Sequence, residues 1–300
     1  MEKIKLPGVT AIGEILYDVY PDKKRLGVAP FNFIYHVWKI LVRANVISSV
    51  GNDDNGKEII NYLNSIGFDT GYIIIDNKFP TGTVQVKIDE NKIPRFKISC
   101  ECSYDYISLD DKAKNLFNSE TDLLAFGTLT MRDEISRNTI VSLFNKPGKK
   151  YFCDLNLRHD FFSKELIEKV LRTCNVIKLN KEELDKLKTI FNLYGNNNSV
   201  VKQLINIFDI ELVAVTLGED GAELYKGDKL SFSKLSKGKI VDSLGAGDAF
   251  SAILCIGYLY NMELEKLNQL ANEFAFQICM VNGALPAEDS IYKPFREVFF

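Results

Sequence analysis

Two glycines followed by an acid, just before an apolar segment, are the most chemically suggestive feature of this 300-residue chain: Gly245-Ala246-Gly247-Asp248, then residues 249–260. If that segment is a helix, its first N–H groups lack intrahelical acceptors and its dipole adds positive potential at the same end. Glycines there let the main chain approach an anion closely. A phosphoryl group gathering negative charge during transfer suits such a cradle. A carboxylate beside it is wrong for holding phosphate, but right for taking a proton from an alcohol that attacks phosphate. The motif by itself fits equally well a first-turn acid that stabilises the helix, with the glycines only shaping the turn. The pattern is neither a Walker loop nor a dinucleotide fingerprint after a first strand.

Other polar residues stand where a sheet would place them at a ligand. Asp18 follows an apolar strand, where α/β sheets open their crevice, and a carboxylate there can accept two hydroxyls. Asn32 can both donate and accept, or serve as the N-cap of a helix over residues 31–42. Asn180 and Glu183 have capping-box spacing. Arg158, after Asp154 and Asn156, could pin an anion with its planar fork or form a surface ion pair. Thr216-Leu217-Gly218 ends an apolar strand, and Gly221 permits a tight turn into residues 222–225. Tyr104, Asp105 and Tyr106 have the aromatic–acidic mix that suits sugar stacking and hydroxyl contact, or flap packing.

These residues need a frame. Segments 9–15, 45–50, 122–126, 151–155, 175–179 and 211–217 read as short strands, several without polar alternation, as expected where both sheet faces are covered. Between them, 55–65, 134–144 and 164–171 carry helical apolar spacing, and 31–42 is apolar almost all round, which predicts a buried helix. Strand–helix alternation implies an α/β fold with a mainly parallel sheet between helical layers. Residues 81–107 break the rhythm. Segments 83–88 and 95–98 alternate around a turn at 89–91, the mark of a half-exposed antiparallel sheet; with 16–20 they predict a small β lid. Val84, Val86 and Phe96 on an exposed face of it would favour a homodimer through the lids.

Composition narrows the classes. With 37 Lys and Arg against 40 Asp and Glu, the net charge of −3 offers no basic excess for nucleic acid or anionic lipid. The start carries no apolar signal core, and the apolar stretch 249–260 is too short to cross a bilayer, so a cytoplasmic location is expected. Cys100, Cys102, Cys153, Cys174, Cys255 and Cys279 include no C-x-x-C pair, and His36 and His159 are far apart; buried free thiols are expected.

The motifs in their order add what none gives singly. Asp242-Ser243-Leu244-Gly245-Ala246-Gly247-Asp248 resembles the C-terminal signature of the ribokinase-like (PfkB-type) carbohydrate kinases, with Ser243 in place of threonine. Gly13-Glu14-Ile15-Leu16-Tyr17-Asp18 is similar to the family's first strand, and the run from Gly27 to His36 to the N-terminal signature of bacterial fructokinases. Asp154-Leu155-Asn156-Leu157-Arg158, Asn180-Lys181-Glu182-Glu183 and Thr216-Leu217-Gly218-Glu219-Asp220-Gly221 come next in family order. Two departures stand out: Val28 replaces the second of two hinge glycines, and Gly127-Thr128-Leu129-Thr130-Met131-Arg132 is less polar than in fructokinases.

The resemblance implies a ribokinase-like three-layer αβα sandwich over residues 1–300, its discontinuous β lid formed by about 16–30 and 80–107. It implies MgATP as phosphoryl donor and a monosaccharide acceptor, fructose first, with Asp248 as base and Gly245, Ala246 and Gly247 as anion hole. Asp18, Gly27, Asn32, Tyr104 and Arg158 would bind the sugar. Asn180, Thr216, Gly218 and Gly221 would hold the nucleotide, with Asn272 and Gly283, expected to flank the last long helix, closing its adenine pocket. Glu183 would organise Mg²⁺ through water, and Asp242 a monovalent cation such as K⁺. 2-Keto-3-deoxygluconate, another ketose or a nucleoside remain alternative acceptors, and a catalytically impaired sugar-binding regulator is the reading from another class.

Overall fold

The structure is a computed structural model that describes residues 6–27, 29–88, 94–159, 161–236, 238–286 and 288–300. The elements run β1 (Val9–Ile12), β2 (Tyr17–Val19), β3 (Lys24–Leu26), α1 (Ala29–Leu41), β4 (Ala44–Gly51), α2 (Asp54–Ser65), β5 (Ile73–Asp76), β6 (Thr83–Ile88) and β7 (Pro94–Ile98). Next come α3 (Asp111–Ser119), β8 (Leu123–Gly127), α4 (Glu134–Ser142), β9 (Lys150–Asp154), α5 (Lys164–Thr173), β10 (Val176–Asn180), α6 (Lys181–Ile190) and α7 (Asn197–Phe208). The chain closes with β11 (Leu212–Thr216), β12 (Ala222–Lys226), β13 (Lys229–Ser233), α8 (Ala246–Leu259), α9 (Leu264–Cys279) and α10 (Lys293–Phe299).

Among the described residues nine strands form the central sheet, in the order β13-β12-β11-β10-β9-β8-β1-β4-β5. It is parallel from β11 to β5, and only the β11-β12-β13 edge is antiparallel. Successive strand residues feed opposite cores. Leu212 and Ala214 of β11 join α1, α8 and α9 on one face; Val213 and Val215 join α5, α6 and α7 on the other. Both faces are therefore covered, which is why these strands lack polar alternation. The result is an α/β sandwich of three layers.

Helix α1 is buried almost all round, as expected, and its Phe33 stacks on Phe152 of β9 with ring centroids 5.4 Å apart. Asn32 lies inside α1 rather than at its cap, so the capping alternative falls away. The substitution at Val28 lies outside the described residues.

A second sheet has the order β3-β2-β6-β7. Strand β3 was not expected from the sequence, because a three-residue segment with two basic residues gives no apolar pattern; pairing with β2 makes it a strand. A second expectation fails here. Val84 and Val86 are only 7% and 3% exposed, packed in one cluster with Ile12, Leu16 and Tyr104, and only Phe96, at 48%, is open to solvent. Two of the three residues offered for a dimer face are therefore covered by the chain itself. Of the six cysteines, all free, Cys100 is exposed and the rest are buried. Among the described residues no helix is long and apolar enough to cross a membrane.

Candidate active site

Parallel strands deliver their carboxyl ends to one edge of the sheet. There a crevice of about 470 Å³ opens between that edge and the second sheet. Asp18, Gly27, Asn32, Arg158, Gly245, Gly247 and Asp248, far apart in sequence, all line it.

The turn into α8 explains why the glycines are needed. Gly245 has φ of +80°, and a Cβ there would lie 2.4 Å from the Ala284 Cβ. Helices α2, α3, α4, α5, α6, α7 and α9 each begin under a side-chain oxygen that accepts one of their N–H groups; α8 has no such cap. The Ala246 N–H reaches the Ser243 carbonyl at 3.3 Å, and the next N–H groups, of Gly247 and Asp248, which line the crevice, have no acceptor among the described residues. A helix start of this kind can receive an anion through its dipole and its remaining N–H groups.

Asp248 sits in the first turn of α8, where Asn32 Nδ2 donates to its Oδ2 at 2.7 Å. Burial pushes its carboxyl up to about 7, aided by the charge of Asp154 and opposed by Asn32, Lys178 and Arg158. Asn32 is 3% exposed and its Oδ1 has no partner among the described residues. An orphaned buried acceptor of this kind costs about 1–3 kcal/mol, so a donor from a bound molecule would relieve it. Gly27, with φ of +152°, brings its main chain so close to Asn32 that a Cβ would lie 2.7 Å from that Oδ1. Across the crevice, burial raises the Asp18 carboxyl to about 6, against Arg158 and Arg25. Arg158 is exposed on the rim, after Asn156 has taken φ of +40° to turn the chain.

None of the residues expected at the nucleotide end is among those lining the crevice. Asn180 ends β10 beside Thr216 of β11, its register partner. Gly218 (φ +63°) and Gly221 (φ +102°) shape the connection to β12, and a Cβ on Gly221 would strike the Ser233 carbonyl at 2.0 Å. Gly283 (φ +83°) donates its N–H to Asp242. Asn272 departs from expectation. It lies in the middle of α9, 3% exposed, with its amide bonded to Asn268, so it does not flank the helix. Tyr104 departs further: it is fully buried in the core, with the Arg132 guanidinium 4.9 Å from its ring. Its neighbours are also engaged, Asp105 with Arg132 at 2.7 Å and Tyr106 stacked on Phe79 at 3.6 Å. The flap-packing alternative is the one realised for all three.

Two cation sites were expected. Glu183 accepts the Asn180 N–H on one oxygen and the Leu157 N–H on the other, in a reciprocal capping box with Asn180. Burial raises its carboxyl, and no cluster of three His, Cys, Asp or Glu able to hold a metal occurs among the described residues. This donor set fits Mg²⁺ only as a hydrated ion carried by phosphates. Asp242 does not fit K⁺: Arg25 Nη1 meets its Oδ2 at 2.8 Å, with the Gly283 N–H on the same oxygen and the Leu244 N–H on Oδ1. Burial pushes that carboxyl up, but these three donors together hold it below the usual range. The guanidinium already balances the charge that a monovalent cation would.

Sequence reasoning missed Lys178, Asp154 as a charge partner, and Glu14 as a buried acid. Lys178 Nζ lies 2.9 and 3.1 Å from the two Asp154 oxygens, beside the cradle. A lysine in the otherwise buried strand Val176-Ile177-Lys178-Leu179 was the available signal. Glu14, 1% exposed and raised by burial, bonds Thr130 and lines a small cavity under the crevice with Asp154 and Ser251.

A three-layer α/β sandwich with its crevice at the strands' carboxyl edge, an uncapped glycine-led helix and a second small sheet define a ribokinase-like fold. The sequence matches the pfkB family carbohydrate kinases over residues 9–290, and the chain belongs to that family. It is 29% identical to a sugar kinase from Pyrococcus horikoshii, over 97% of both chains. It is 28% identical to an Escherichia coli fructokinase, over 93% of this chain and 95% of that one. The crystal structure of the uncharacterized Pyrococcus horikoshii sugar kinase in complex with ATP superposes with a TM-score of 0.79 at 26% identity, covering 92% of this chain and 94% of the other.

Proposed function

We propose that this carbohydrate kinase transfers the γ-phosphoryl group of ATP to a hydroxyl of a monosaccharide, fructose being the first acceptor to test. The observation that carries the reading is Asp248: a carboxylate poised near neutrality, at the mouth of an uncapped helix, in a crevice it shares with Asp18.

In this mechanism the acceptor hydroxyl lies against Asp248, which takes its proton as the oxygen attacks phosphorus. A base with a carboxyl near 7 is half ionised at neutral pH and still basic enough to matter. The N–H groups of the first α8 turn receive the charge that builds on the migrating phosphoryl. Asp18 accepts acceptor hydroxyls, and Asn32 orients Asp248 while offering its free Oδ1 to a further hydroxyl. Magnesium would enter with the nucleotide, offset phosphate charge and be met through water by the Asn180–Glu183 end. The β3-β2-β6-β7 sheet acts as a lid that excludes water from the crevice. Arg25 of β3 ties it to Asp242 and to Asn282 at the opposite rim.

One feature favours a second acceptor class. Val84, Phe96 and Ile98 form an apolar wall on the lid side of the crevice, which suits an acceptor with one flat apolar face, such as a nucleoside. Purified protein supplied with MgATP and a panel of fructose, other ketoses, 2-keto-3-deoxygluconate and nucleosides, read by ADP release, distinguishes these. Fructose turnover supports the first assignment. Turnover only with nucleosides moves it to the second, and ATP binding without turnover on any acceptor would leave a binding protein instead.

A further inference from the structure

Lys178 is the one charged side chain in a buried run of β10, and the base mechanism above makes no use of it. Its ammonium is 12% exposed and paired with an Asp154 carboxylate that is equally covered. A buried Lys–Asp pair recovers at best the cost of desolvating its two charges, so a pair of apolar residues would serve the fold as well or better. Its position indicates a use. A Cβ built on Gly247 would come 3.3 Å from Lys178 Nζ, so the ammonium abuts the glycine turn of the cradle. Lys178 lines the same crevice as Asp248 and Gly245. Asp154 is in turn held by Ser251 Oγ of α8 at 3.2 Å, which ties the pair to the helix carrying the base. An ammonium has three donor protons, and the bonds to the two Asp154 oxygens leave one for the crevice.

We propose that Lys178 is a further catalytic residue, whose Nζ–H donates to an oxygen of the migrating γ-phosphoryl while Asp154 and Ser251 act as positioning residues. This rests on the phosphoryl-transfer reading. In the step, the bond from phosphorus to the acceptor oxygen forms and the bond to the ADP oxygen breaks. The hydroxyl proton passes to Asp248, and Lys178 keeps its own protons throughout. Main-chain N–H groups offer fixed partial charges to the phosphoryl oxygens; the ammonium adds a full one from the strand side.

Binding of ADP and of the non-hydrolysable analogue AMP-PNP, each with Mg²⁺, measured by calorimetry on wild type and Lys178→Met, tests this. A lysine that meets only the γ-group predicts AMP-PNP affinity lower by about 10-fold or more in the variant, with ADP affinity within about twofold of wild type. Turnover should fall by about 10²-fold or more, and Lys178→Arg should regain part of it. Equal losses for the two nucleotides, or an unchanged ratio, would overturn the proposal. Because Lys178→Met strands a buried carboxylate, Lys178→Met with Asp154→Leu provides a well-packed control. It should melt near wild type and still lack the AMP-PNP preference; recovery of that preference or of turnover would equally overturn the assignment. If wild type binds neither nucleotide and phosphorylates no acceptor, the kinase reading itself fails, an outcome distinct from a wild-type preference that survives loss of the lysine.

Discussion

The two sets of residues proposed above, an acceptor rim and a nucleotide rim, are built on different principles. On the acceptor rim, Asp18, Asn32 and Asp248 project side chains with unspent capacity: two carboxyls lifted by burial and one carbonyl oxygen without a donor. On the nucleotide rim, Asn180, Glu183, Gly221 and Gly283 are already committed, as cap, cap partner and turn formers. One rim keeps polar groups in reserve for a ligand. The other spends its polar groups on shaping the main chain. Substitutions should therefore cost activity on the first rim and stability on the second.

The largest stability effect is expected at Gly221. Alanine there must adopt φ of +102° and meet the Ser233 carbonyl at 2.0 Å, which predicts a loss of about 2–4 kcal/mol in urea unfolding. A loss below about 0.5 kcal/mol would mean the connection readily rearranges. On the acceptor rim, Asp18→Ala should leave the melting temperature nearly unchanged and raise the acceptor KM by about 10–100-fold through lost charge-assisted hydrogen bonds. Its carboxyl, raised to about 6 by burial, adds a pH signature. The ionised form accepts hydroxyls, so acceptor affinity should weaken as pH falls through 6, and Asp18→Ala should abolish that limb. Asn180→Ala removes one cap and should cost about 1 kcal/mol, read as a shift of the urea midpoint. The smallest effect expected is that of K⁺. With Arg25 on Asp242, replacing K⁺ by a bulky organic cation should change turnover by less than about twofold, and Arg25→Gln should create a K⁺ dependence. Strong K⁺ activation of wild type would break the contrast at that corner.

Much of this was legible in the sequence, for identifiable reasons. The strands expected at 45–50, 122–126 and 151–155 match β4, β8 and β9 to within a residue or so, because a sheet covered on both faces writes itself as short apolar runs. The crevice residues Asp18, Asn32, Arg158 and Asp248 were legible from the order of their motifs along the chain, not from local pattern: Asp18, expected at the end of a sheet strand, lies within β2, and Asn32, open to a capping reading, lies inside α1. What failed were questions of direction. Alternation in 83–88 showed which residues of the strand share a face, but not that the face of Val84 and Val86 turns inward onto Tyr104. Tyr104 looked like a sugar platform because an aromatic beside an acid is the same string whether it lines a site or fills a core. Asn272 was misplaced because a polar residue inside a helix reads like one at its end, until its bond to Asn268 is seen. Lys178 was missed since its meaning depends on Asp154 and Gly247, brought beside it only by the fold.

Asp248 also links activity to stability. Burial holds its folded carboxyl near 7, above the ordinary value of an unfolded chain, so the native state binds a proton there more tightly. That contribution is present at low pH and is lost as pH rises through 7. Asparagine in its place should therefore leave the protein as stable as wild type, or more so, at pH 8. The most direct measurement is kcat for Asp248→Asn at pH 8 with the best acceptor, alongside its melting temperature. The base mechanism predicts a fall of about 10²–10⁴-fold with a melting temperature equal to or above wild type. Near-normal phosphorylation by a folded variant would contradict it.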